Sequence, residues 1–134
     1  MTTEPTTILF LCVHNAGRSQ MAAAFARELG GERVDVLSAG SAPGEAVNPM
    51  AVSAMAEKGI DIAGAQPRKF GDTDLEAADI VITMGCGDEC PYVPGKRYLD
   101  WEVGDPAGQP LERVRVIRDE IEGRVRALLE EIGG

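Results

Sequence analysis

The run TILFLCV at residues 7–13 constrains the fold more than any other feature. It is apolar nearly throughout, and it reads as a buried strand of a sheet covered on both faces. Two more segments behave alike: VDVLSAG (34–40), which ends at Gly40, and ADIVITM (78–84). KRYLDW (96–101) is a shorter fourth strand. Between the strands the period changes. From Ser19 to Leu29, Met21, Phe25 and Leu29 recur on one helical face. Pro49 to Lys58 reads as a helix with proline in its first turn and Gly59 as its stop. Leu111 to Ile132 is a long terminal helix striped by Val114, Ile117, Ile121, Val125, Leu128 and Ile132. Its arginines, Arg113, Arg115, Arg118, Arg124 and Arg126, read as a solvated face. Strands alternating with helices predict an α/β fold with a parallel sheet and helices on both faces. With 134 residues, one domain over 1–134 is expected.

In such folds ligands sit at the carboxyl ends of the strands. Cys12, Gly40 and the MGC after Ile82 and Thr83 therefore fall along one sheet edge. The net charge of −9 argues against nucleic acid or an anionic membrane as partner, and it makes any anion site a local exception. No apolar run approaches the ~20 residues of a membrane span. MTTEPTT has neither the basic nor the apolar region of a signal peptide, so a cytoplasmic protein is expected. There, three cysteines read as thiols rather than a disulfide framework.

The loop after the first strand, CVHNAGRS (12–19), carries the chemistry. A strand-to-helix loop presents unpaired N–H groups and the positive end of a helix dipole, which suits a tetrahedral oxyanion. Asn15 and Gly17 tolerate the left-handed backbone that turns amides inward. Arg18 can clamp two oxygens with its planar fork. The same positive environment favours a thiolate at Cys12, and Ser19 can donate a hydrogen bond to it. Val13, His14, Ala16 and the loop amides complete the expected substrate pocket. The competing reading is a buried strand-end cysteine with a helix-capping loop. His14, the single histidine, reads as a residue of the pocket rim.

Displacing an oxygen from a tetrahedral centre needs a proton donor. Asp105 precedes Pro106, which holds it extended on a loop able to fold over the site; an ordinary Asp-Pro turn is the alternative. Cys86 and Cys90 stand four apart after the third strand. On a helical turn they would share a face, within modest rearrangement of disulfide distance. With the remote His14 they make a poor zinc set, so no metal is expected. Beside a nucleophilic thiolate they suggest thiol–disulfide exchange.

CVHNAGRSQMA, SAG, VNPMAVSAM, DIVITMGCG with its following CP, and DPAG, in that order from about Thr7 to Ile132, resemble thiol-dependent arsenate reductases of the low-molecular-weight protein tyrosine phosphatase family. The resemblance implies a four-stranded parallel sheet flanked by helices on both faces. It implies that Cys12 is the nucleophile, that Arg18 and the loop amides bind arsenate or phosphate, and that Asp105 is the general acid. It implies that Cys86 and Cys90 are the resolving pair. Phosphatases of this fold resemble one another in carrying tyrosines after the Asp-Pro; here Ala107 and Gly108 follow. Asn15 and Ser38 match a potassium site of some members, but Ala23 and Arg68 replace its acidic residues, so no potassium is expected.

The expected reaction is reduction of arsenate to arsenite in arsenic detoxification, without an organic cofactor, by a monomer. Its reductant would be thioredoxin, or a small thiol such as mycothiol or glutathione with glutaredoxin. The cysteine segment is shorter than in thioredoxin-linked members and resembles actinobacterial ones. The alternatives are a phosphatase acting on small phosphomonoesters or phosphotyrosine, and a non-catalytic oxyanion-binding or arsenic-sensing module.

Overall fold

The computed structural model describes residues 5–85 and 95–133. Four strands form one sheet: β1 (Thr6–Cys12), β2 (Val34–Gly40), β3 (Ile80–Thr83) and β4 (Arg97–Asp100). Their order is β2-β1-β3-β4, and every pair is parallel. The helices are α1 (Arg18–Gly30), α2 (Pro49–Ala56), α3 (Asp72–Ala77) and α4 (Leu111–Gly133). The expected α/β architecture is therefore present. The short helix α3 was not anticipated; DTDLEA carries a single buried apolar residue, Leu75, too few for a visible period.

Side-chain alternation along the strands divides the core in two. Ile8, Phe10 and Cys12 of β1 point to the same face as Ile80 and Ile82 of β3. There they meet Met21 and Phe25 of α1, Met55 of α2, and the Ile117, Ile121, Val125 and Leu128 stripe of α4. Leu9, Leu11 and Val81 point the other way, into a smaller cluster with Leu75 and Ala78. Both faces of β1 are covered, which is why its sequence shows no polar alternation. Truncating Phe10, fully buried with its ring 5.9 Å from that of Trp101, would cost about 3–5 kcal/mol.

One arginine departs from the solvated face expected of α4. Arg118 is 7 % exposed. Its guanidinium donates to the Ala54 carbonyl at 2.9 Å and to Glu57 at 2.7 Å, fastening α4 to the end of α2. Arg115 reaches the same Glu57 carboxylate. Among the described residues, no helix is long and apolar enough to cross a membrane.

The strand order places the site. The chain leaves β1 for β2 on one side of the sheet, then returns past β1 to β3 on the other. The carboxyl ends of β1 and β3 thus form the crevice where α/β sheets bind ligands. Cys12 closes β1 there, and Gly85 lies just beyond β3.

Candidate active site

Residues 12–17 form a loop whose carbonyls all face outward. The N–H groups of Ser41, Ala42, Gly44 and Asn48 donate to the carbonyls of Cys12, Val13, His14 and Ala16, at 3.2, 2.8, 2.9 and 2.8 Å. Gln20 Nε2 takes the Asn15 carbonyl at 3.0 Å, and the Met21 N–H takes that of Gly17 at 2.9 Å. In a trans peptide the N–H points opposite to the C=O of the same plane. Six carbonyls tied outside the loop therefore aim the following N–H groups, from Val13 to Arg18, inward. The Asn15 N–H shows this directly, lying 3.3 Å from Cys12 Sγ as its donor.

Asn15 has φ 51°, the single left-handed non-glycine among the described residues, as its sequence position suggested. Gly17 does not share that conformation; its φ is −137°. The glycine there also meets a limit of space. A Cβ at residue 17 would lie 2.5 Å from Pro106 Cγ. Gly40 is required for a similar reason, since a Cβ there would come 2.4 Å from the Val13 carbonyl oxygen.

The Cys12 thiol sits in a defined hydrogen-bond chain. The Arg68 backbone N–H and Gln20 Nε2 both donate to Asn15 Oδ1, at 3.0 and 3.2 Å. Those donors fix the amide, so Asn15 Nδ2 donates to Ser19 Oγ at 2.7 Å. With its oxygen accepting that bond, the Ser19 hydroxyl proton is free to point at Cys12 Sγ, 2.9 Å away. A sulfur that receives an N–H and an O–H is set up to carry negative charge. Cys12 is 2 % exposed, so a reactant must reach it through the cavity above the loop.

Helix α1 begins at Arg18 with no side-chain cap and no acidic residue in its first turn, which leaves its positive end open toward the loop. The Arg18 guanidinium packs on Gly85, whose φ of 82° suits glycine; a Cβ there would lie 2.3 Å from Arg18 Nη1. On the other side Arg18 Nη2 is 3.7 Å from Asp105 Oδ2. Asp105 Oδ1 accepts the Ala107 N–H at 3.0 Å, so the carboxylate is braced within its own turn. Asp105 is half-exposed.

These parts enclose a cavity of about 30 Å³ lined by Cys12, His14, Ala16, Gly17, Arg18, Asn48, Asp105, Pro106 and Ala107. A wider groove of about 710 Å³ opens beside it along Thr83, Gly85 and residues 100–103. The structure brings Cys12, Arg18, Asp105 and the whole 13–19 loop together, with His14 at the exposed rim as read from the sequence. Cys86 and Cys90 lie outside the described residues. Gln20 and Asn48 were missed. Asn48 before Pro49 carries the signal of a helix cap, which it is, its Oδ1 accepting the Met50 N–H. Nothing in the sequence marks its N–H as a support of the loop. Of the positions compared with a potassium site, Asn15 Oδ1 is occupied by two N–H donors, and the Arg68 guanidinium pairs with Asp74. The Arg68 hydrogen bond holds the Asp74 carboxyl below the usual carboxylate range.

A thiol cradled by inward amides, an arginine and a facing aspartate on a four-stranded parallel sheet is the arrangement of an oxyanion-handling thiol enzyme. Residues 7–134 match the family of low molecular weight phosphotyrosine protein phosphatases, and the chain belongs to it. Among its relatives is a glutaredoxin arsenate reductase of Synechocystis, 37 % identical over 93 % of this chain and 97 % of the relative. A solved thioredoxin-dependent arsenate reductase of Corynebacterium glutamicum is 43 % identical with a TM-score of 0.86; the match covers 99 % of this chain but 64 % of that one. An arginine phosphatase of Geobacillus stearothermophilus matches with 30 % identity and a TM-score of 0.86, over 96 % of this chain and 94 % of its own.

Proposed function

We propose that this chain, acting as one domain over residues 1–134, is an arsenate reductase in which Cys12 is the nucleophile. The observation that carries the reading is the set of outward-tied carbonyls, which leaves a ring of N–H groups around the Cys12 sulfur. Such a ring, with the Arg18 fork, binds three oxygens of a tetrahedral anion and presents the central atom to the thiolate. Relatives that bear the name arsenate reductase support arsenate as the reactant.

The Cys12 thiolate attacks arsenic in line, and the departing oxygen takes a proton from Asp105 and leaves as water. A Cys12–arsenic(V) adduct forms. The Cys86 thiolate then attacks Cys12 sulfur. The sulfur–arsenic electron pair goes to arsenic, arsenite leaves, and a Cys12–Cys86 disulfide remains. Two thiols have supplied two electrons. Cys90 attacks Cys86, frees Cys12 and leaves a Cys86–Cys90 disulfide for the external reductant. Gly85 against the Arg18 guanidinium supports this order, because Cys86 follows in the chain. The setting is cytoplasmic detoxification by a monomer.

Thioredoxin is the favoured reductant, with a small thiol and glutaredoxin as the alternative; relatives bear both names. Turnover of arsenate with thioredoxin and its reductase, against mycothiol or glutathione with glutaredoxin, decides between them. Arsenite release in neither system would contradict the reading. A phosphatase is the second reading, favoured by the fold of the arginine phosphatase and by the identical shape of phosphate and arsenate. It requires phosphate release without thiol consumption.

A further inference from the structure

Gly17 stands at the N-cap of α1, where it makes no capping bond and has a negative φ. Neither capping nor left-handed backbone explains a glycine there. What does is the Pro106 ring, which fills the space a Cβ would need, 2.5 Å from Cγ and 3.4 Å from Cδ. Pro106 is buried, although its neighbours Asp105 and Ala107 are exposed. Its ring is rigid, so a larger residue 17 moves the whole turn rather than one flexible atom.

That turn roofs the site. Asp105, Pro106 and Ala107 line the same small cavity as Cys12, and the Ala107 N–H ties the Asp105 carboxylate into the turn. The depth to which Pro106 seats on Gly17 thus sets two quantities together. One is how near Asp105 stands to the departing oxygen. The other is how much room lies above a bound anion. A cavity of about 30 Å³ holds a few solvent-sized atoms. The cavity is partly open, and the depth at which Pro106 seats sets how much space is left beside a bound anion for a group attached to it.

We infer that Gly17 is a specificity-determining positioning residue: by seating Pro106 it closes the mouth of the site, so that the loop admits a bare tetrahedral oxyanion and rejects phosphate monoesters. This deepens the oxyanion chemistry proposed above and rests on it. It also gives a steric basis for separating a reductase from an ester hydrolase on one fold, which the anion loop alone does not supply.

The test uses phosphate and phenylphosphonate, a non-hydrolysable ester mimic, binding to the reduced full chain by calorimetry. Phosphate binds and phenylphosphonate does so far more weakly. Gly17→Ala lifts the turn and reduces that discrimination by roughly 10-fold or more, the scale of one misplaced methyl group in a substrate pocket. Hydrolysis of p-nitrophenyl phosphate rises relative to arsenate reduction in the same variant. Pro106→Ala opens the mouth from the other side and moves both readouts in the same direction, so it decides the matter if Gly17→Ala does not fold. The double variant, in which the new methyl fills the space left by the ring, discriminates better than either single one. Wild-type protein that binds both ligands alike, or folded single variants that keep wild-type discrimination, would overturn the inference. Discrimination in a protein that releases no arsenite would instead overturn the assigned reaction and leave the role of Gly17 standing.

Discussion

Asn15 joins the two halves of the site at the scale of single residues. Its backbone N–H reaches Cys12 Sγ, and its side chain orients Ser19 toward the same sulfur. The types of residue involved were legible in the sequence, because a thiol, an arginine and a serine around a small loop have few other uses together. The partners that hold them were not, because Gln20, Asn48 and the Arg68 N–H act through directions that no spacing encodes. The sequence marks Gly17 as a backbone requirement, and the fold adds a steric one from Pro106, 89 residues away in the chain and visible only when folded. Arg18→Lys keeps the charge but loses the planar fork, and kcat/KM for arsenate is expected to fall by roughly 10²–10³, the cost of losing a transition-state donor. Unchanged kcat/KM would remove Arg18 from the clamp. Asp105→Asn is expected to slow adduct formation roughly 10²–10⁴-fold while anion affinity holds or rises, as a neutral amide replaces a carboxylate. Rapid-quench measurement of the first turnover reads this, and an unaltered rate would exclude Asp105 as the acid.

At the scale of elements, α1, α2 and α4 are legible from helical period and caps and the four strands from their apolar runs, and α3 is not. The exception on α4 is instructive. Its type assigns Arg118 to water, yet the Ala54 carbonyl and Glu57 at the end of α2 draw it inward. The Arg115 hydrogen bonds, then those of Arg118, hold the Glu57 carboxyl down to about 2. A carboxyl lowered in the folded state stabilises it above its ordinary value near 4.5, and this contribution is lost as pH falls toward about 2. Glu57→Gln is therefore expected to lower the urea midpoint at neutral pH and to flatten its decline across that acid window. A variant whose pH profile matches wild type would show that the α2–α4 tie carries no stability. Gly40, at the end of β2, supports the loop from the other side. Gly40→Ala pushes a methyl onto the Val13 carbonyl and is expected to cost about 1–3 kcal/mol and to weaken phosphate binding. Thermal melts with and without phosphate check both.

At the scale of the whole molecule, the sheet order explains how an acidic chain holds an anion. The net charge is −9, yet the crevice between the ends of β1 and β3 collects inward N–H groups, the open end of α1 and Arg18. The parallel α/β arrangement was legible because β1 is apolar on both faces and helical periods alternate with the strands, whereas the strand order β2-β1-β3-β4 comes from the fold. The proposed reduction also draws on the thiols of Cys86 and Cys90. The most direct test is a single turnover with no external reductant, in which fully reduced protein meets one equivalent of arsenate and is then alkylated and mapped. One arsenite is expected to be released per chain, with two thiols lost as a Cys86–Cys90 disulfide and Cys12 free. Cys12→Ser is expected to release none while still binding phosphate. Three alkylatable thiols in the wild type with no arsenite formed, or arsenite released by Cys12→Ser, would contradict the proposed reduction.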